Sequence, residues 1–166
     1  MSEGAVLYFE DFKTGQTFAY GEHVLTEDEI VAFAREFDPQ PMHVDPEAAK
    51  NGMLGGLIAS GWHLCALTMR LTVDGLFSRA ASLGAPGVEE IQWRRPARPG
   101  DHIRIEATVL ETSAPKSRPD RGFVKFHFDM MRGRERVMFF VSTVMFRRHP
   151  ETEGRPETEG GAPHVA

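Results

Sequence analysis

Between Trp62 and Phe77 the chain carries Trp62, Leu64, Cys65, Ala66, Leu67, Met69, Leu71, Val73, Leu76 and Phe77. At about 3.6 residues per turn these positions occupy almost every face of a helix. A helix apolar nearly all round cannot rest on a surface, so the rest of the chain must enclose it. Arg70 and Asp74 interrupt the run, which falls short of the roughly 18 apolar residues of a membrane span. The enclosing material follows Gly87, where the hydrophobic period changes. Ile103, Ile105, Ala107 and Val109 alternate with Arg104, Glu106 and Thr108, and Val124, Phe126, Phe128 and Met130 with Lys125, His127 and Asp129. Both stretches read as strands with one buried and one solvated face. Residues 137–146, rich in Val and Phe, read as a central strand, and 88–95 as a further one. Pro99-Gly100 and Arg132-Gly133 mark turns, and 114–121 a polar loop. Helices first and strands afterwards define an α+β fold, with an antiparallel sheet curled around the apolar helix.

Upstream, Tyr8 to Val24 reads as an irregular entry and a short strand. Thr26 and Glu29 match a capping box, in which hydroxyl and carboxylate satisfy each other's backbone donors. Ile30, Val31, Ala34 and Phe37 continue that helix. It must stop at Asp38, because the residue before Pro39 is pushed out of the helical region. Asp45-Pro46 reads as an N-cap followed by proline at the first helical position, opening a short helix over 46–51. Gly52 is expected as its left-handed C-terminal cap.

The chain has 166 residues, room for one domain at roughly 100–200 residues each. Its formal net charge of −5 argues against nonspecific nucleic-acid binding. One cysteine, Cys65, allows neither an internal disulfide nor a cysteine zinc site. The opening MSEGAVLYFEDF lacks the apolar centre of a secretory leader, so a cytoplasmic protein is expected. From Pro150 the composition turns acidic and rich in Gly and Pro, with PETEG occurring twice. Such a segment buries too little surface to order itself. The expected division is a folded domain over 8–148 and a disordered acidic tail over 149–166, which carries most of the net charge.

Asp38 and His43 lie five residues apart on a proline-stiffened connection. A carboxylate and an imidazole held within reach of one water or substrate atom suit acid–base catalysis. The spacing alone is weak, since a capping carboxylate and an ordinary loop histidine also account for it. Ser60-Gly61 opens the apolar helix. Free backbone N–H groups at a helix start, with glycine allowing close approach, suit a polarised carbonyl oxygen. An N-cap serine beside a packing glycine is the plainer account. Cys65 reads as a small core residue whose burial raises its thiol pKa and disfavours a nucleophile. The seven histidines show no metal-ligand spacing. Arg94, Arg95 and Arg98 read as a solvated basic rim, although phosphates would also suit them.

Taken together, these segments resemble the MaoC-like dehydratases, which include the (R)-specific enoyl-CoA hydratases. The family pattern D-x-N-P-x-H-x-D appears as Asp38-Pro39-Gln40-Pro41-Met42-His43-Val44-Asp45, and its small-residue stretch ending in H-G as residues 55–61, with Ser60 before Gly61. A strand-then-PGD stretch runs from Trp93 to Asp101. The resemblance implies a hot-dog fold, pairing of two or more subunits, and reversible addition of water across a trans-2-enoyl thioester. It implies Asp38 and His43 as the catalytic pair, His43 taking a proton from water and Asp38 serving the α carbon, with Gly61 N–H on the thioester oxygen. Neither cofactor nor metal is expected. Gln40 and Ser60 depart from the family's usual Asn and His, and bulky Trp62 follows Gly61; Ser60, Gly61 and Trp62 are the expected substrate contacts. Two other functions compete: a hot-dog acyl-CoA thioesterase, and a non-catalytic acyl-thioester binding subunit.

Overall fold

The computed structural model describes residues 6–150. Strand β1 (Thr17–Val24) precedes helices α1 (Glu27–Phe37), α2 (Pro41–Val44), α3 (Pro46–Lys50) and α4 (Gly61–Gly75). Strands β2 (Ser82–Gly84), β3 (Val88–Trp93), β4 (His102–Ser113), β5 (Arg121–Arg132) and β6 (Glu135–Arg147) complete the chain. The sheet is antiparallel, in the order β1-β4-β5-β6-β2, and β3 also pairs with β6.

The strand register sets apolar residues in rows across the concave face. Ile105 opposes Met130 and Met130 opposes Met138; Ala107, Phe128 and Phe140 form the next row. All six are buried, while Arg104 and Glu106 point the other way and pair with each other. Leu64, Leu67 and Leu71 of α4 pack into this face. Fully burying side chains of this size stabilises by roughly 1.5–3 kcal/mol each. Phe12 closes one end, its ring 4.4 Å from Phe146 and 5.6 Å from Phe126. Gly21, at φ +72°, lets β1 bulge against α4, where a Cβ would stand 2.9 Å from Leu71 Cβ.

Several expectations change in detail. Helix α4 is not covered on every face: Trp62 (58% exposed), Met69 (41%) and Val73 (41%) form a stripe that the chain's own sheet does not reach. Gly52 is absent from the glycines of positive φ; Asn51, in right-handed conformation, ends α3, and the next glycines of positive φ along the chain are Gly55 and Gly56. The capping box is half-formed. Thr26 Oγ1 accepts from Glu29 N at 3.2 Å, but the Glu29 carboxylate turns to His23 Nε2 at 2.7 Å. Strand β3 stops at Trp93 rather than 95, and the short β2 was not anticipated. Arg148 Nε and His149 N both donate to the Glu10 carboxylate near the end of the described chain. The acidic tail from 151 onward lies outside the described residues. Among the described residues no helix is long and apolar enough to cross a membrane.

Candidate active site

Two proline-directed turns and the start of α4 meet at one cavity of about 390 Å³. Pro41 occupies the first position of α2, so the expected stiff connection contains one helical turn. That turn carries His43 inward, where it is 4% exposed. Asp45 Oδ1 accepts from Glu47 N and Ala48 N, both at 3.0 Å, which caps α3 and anchors the far side of the turn.

The imidazole is oriented by the backbone. His43 Nδ1 lies 2.8 Å from Ile58 O. A carbonyl oxygen only accepts, so Nδ1 carries the hydrogen, and Nε2 of the neutral ring presents a lone pair. Nε2 faces Asp38 Oδ2 at 3.5 Å. That distance is beyond a direct hydrogen bond, and it leaves both atoms as acceptors for one shared donor.

Asp38 is held from two sides. Ser60 Oγ donates to Oδ2 at 2.6 Å and Gln40 Nε2 to Oδ1 at 2.7 Å. These bonds, Ser60 first and then Gln40, hold the carboxyl below the usual carboxylate range, with a smaller contribution from His43. Asp38 is therefore ionised at neutral pH.

Ser60 caps α4, its Oγ accepting from Trp62 N at 3.2 Å. Gly61 follows and lines the cavity. Trp93 crosses over it: the indole Nε1 donates to Gly61 O at 3.0 Å, and a Cβ on Gly61 would stand 2.5 Å from the ring. Trp62 meets Trp93 edge-on with ring centroids 5.6 Å apart. All five expected residues thus converge, with Asp38, His43, Gly61 and Trp62 in the cavity wall and fully buried Ser60 behind it.

Trp93, Arg94, Arg95 and Leu54 also line the cavity and were not assigned to it from sequence. Arg94 and Arg95 directly follow an edge strand, and that adjacency was the available signal. Arg94 lies over the Phe139 ring at 5.5 Å, and Arg95 Nε pairs with Glu135 at 3.1 Å. Arg98 belongs instead to the scaffold, donating to the carbonyls of Leu54 and Leu57. Cys65 is half-buried within α4, and burial pushes its thiol up.

An antiparallel sheet wrapped on one long helix, with a cavity at that helix's N-terminal end, is the architecture of a hot-dog domain. Residues 11–121 match the model of the MaoC like domain, and the chain belongs to that family. It is 32% identical over 102 residues, 61% of its length, to 72% of the uncharacterized protein YdeM of Bacillus subtilis strain 168. A crystal structure of a MaoC-like dehydratase from Rhodospirillum rubrum is 44% identical, covers 87% of this chain and 99% of its own, and superposes with a TM-score of 0.80. The unliganded R-hydratase PhaJ1 of Pseudomonas aeruginosa, at 19% identity and a TM-score of 0.67, covers 97% of each chain and shares the fold.

Proposed function

We propose that this protein is an enoyl-thioester hydratase, acting reversibly as a 3-hydroxyacyl-thioester dehydratase, with Asp38 and His43 as its catalytic pair. The observation that carries this reading is the placement of Asp38 Oδ2 and His43 Nε2 3.5 Å apart at a cavity wall, with His43 Nδ1 committed to Ile58 O. Two acceptors so placed suit one water that donates a hydrogen to each. In hydration the water oxygen bonds to the β carbon of the alkene as one of its protons passes to His43 Nε2. The adjacent carboxylate stabilises the resulting imidazolium. The imidazolium proton then passes by way of the Asp38 carboxylate to the α carbon, so the substrate gains the OH and the H of one water and the enzyme returns to its starting protonation state.

The same geometry supports polarisation of the thioester. The first amides of α4 have no helical carbonyl before them, and the helix dipole favours negative charge there. Gly61 N–H is the proposed donor to the thioester oxygen, a contact of a kind typically worth roughly 3–4 kcal/mol in the transition state. Arg94 and Arg95 at the same cavity suit the phosphates of a coenzyme A carrier. The names of the two solved relatives, a MaoC-like dehydratase and an R-hydratase, agree with this chemistry.

We also propose that the working form is a homodimer in the cytoplasm. Strand β3 pairs with β6 along one edge, and its other edge pairs with no strand among the described residues. Trp93 of this strand meets Trp62, the first residue of an exposed stripe that continues along α4 to Met69 and Val73.

The test is incubation of the purified protein with short and medium trans-2-enoyl-CoAs. Loss of the conjugated-enoyl absorbance without release of free thiol is the expected result. Free thiol identifies a thioesterase instead, and inactivity across the panel a binding subunit.

A further inference from the structure

The two positions at which the chain departs from the D-x-N-P and H-G patterns, Gln40 and Ser60, both donate to the same carboxylate. Their circumstances differ. Gln40 is exposed, and its amide can turn to water. Ser60 is 0% exposed. Its hydroxyl has one hydrogen, which lies on Asp38 Oδ2, while its oxygen accepts from Trp62 N. The serine therefore cannot be the nucleophile of a covalent pathway: no substrate atom reaches it, and its proton faces a carboxylate instead of an imidazole.

We infer that Ser60 is a positioning residue that fixes the orientation and ionisation of Asp38 and ties that carboxylate to the first turn of α4. This inference rests on the proposed hydration chemistry. One hydroxyl then registers two parts of the site against each other. It holds the Asp38 carboxylate by its hydrogen and, through its lone pair, the turn whose amides receive the thioester oxygen. The ionised carboxylate accepting this bond is charge-assisted, which makes the restraint stronger than a neutral bond. The other titratable or charged groups around Asp38 are His43 on α2 and, across the cavity, Arg94 and Arg95. None of these donates to Oδ2 as Ser60 does.

The experiment compares wild type, Ser60→Ala and Ser60→Thr by two readouts. The first is the pH profile of kcat/KM on a trans-2-enoyl-CoA. In Ser60→Ala the acid limb moves to higher pH, so that the loss approaches about tenfold on that limb, as expected for one bond to a charged group, and is smaller at pH 8. Ser60→Thr, which keeps the hydroxyl, returns the limb towards wild type. The second readout is 13C NMR titration of the Asp38 carboxyl, assigned by its loss in Asp38→Asn. The expected midpoint lies below the ordinary carboxylate range in wild type and rises in Ser60→Ala. This measurement needs no turnover, so it stands even if the hydration reading fails. An Asp38 midpoint unchanged by Ser60→Ala overturns the inference alone. Should Ser60→Ala not fold, a wild-type midpoint at or above the ordinary range overturns it equally.

Discussion

The indole of Trp93 rests directly on Gly61. Nε1 donates to the glycine carbonyl at 3.0 Å, and a Cβ at position 61 would stand 2.5 Å from Cε2 of the ring. Gly61→Ala must therefore displace the indole. Trp93 is 46% exposed and can swing outward, so the fold survives. The expected result is a Tm within a few degrees of wild type together with a loss of about 10²-fold in kcat, as for a site element displaced by about 1 Å. A variant with wild-type kcat would show that Trp93 does not shape the reacting geometry.

The acid–base assignment makes a separate demand. Asp38→Asn and His43→Ala should each lower kcat by about 10²–10⁴. Asp38→Asn keeps the shape of the side chain and tests charge. Steady-state kinetics at saturating substrate checks both, and near-normal rates in the two variants would remove the pair from the mechanism.

His63 introduces a pH dependence of stability. It is 8% exposed and stacks on Phe33 with ring centroids 4.8 Å apart, and its buried Nδ1 has no hydrogen-bond partner among the described residues. Burial holds its pKa below the ordinary value. The unfolded chain takes up a proton here near pH 6.5, whereas the folded chain does so only at lower pH. Unfolded molecules thus bind more protons in that window, and stability falls as pH drops through it. Thermal unfolding of His63→Phe should show a shallower loss of Tm between about pH 6.5 and 5.

Arg94 provides a test of carrier recognition that is independent of the chemical step. Arg94→Ala should raise KM for an enoyl-CoA about tenfold, the value of one bond to a charged group, with kcat nearly retained. The difference should shrink as ionic strength rises. A pantetheine thioester without the nucleotide should be insensitive to the substitution.

Val73 lies on the open stripe of α4, away from the cavity. A charge there, as in Val73→Glu, would face an apolar partner surface without compensation. Light scattering should give a dimer mass for wild type and a smaller mass for the variant. A wild-type monomer would refute the proposed assembly.

The architecture was largely legible in the sequence because two periods differ so sharply. Alternation in β4 and β5 left only one face available for burial, and the apolar run at α4 required something to wrap it. What the periodicity overstated was the enclosure of Trp62, Met69 and Val73. A stripe covered by a second subunit and one covered by the chain's own sheet have the same composition. In the site, the resemblance of residues 38–45 and 55–61 located the carboxylate, imidazole and helix start. It could not show that Glu29 would leave its cap for His23, since that choice depends on β1 lying beside α1. Nor could it assign Trp93 and Arg94 to the cavity, since their placement there depends on how β3 pairs with β6, a contact between distant parts of the chain.

The cavity draws its wall from residues 38–43, 54–64 and 93–97, and from none of the strands β4, β5 and β6. Those strands provide most of the buried aromatic and aliphatic mass. Recognition and folding are thus written in different stretches of the chain. Leu54 and Trp62 are exposed in this wall, so exchanging them reshapes the cavity at little thermodynamic risk and leaves the strands that hold the domain together untouched.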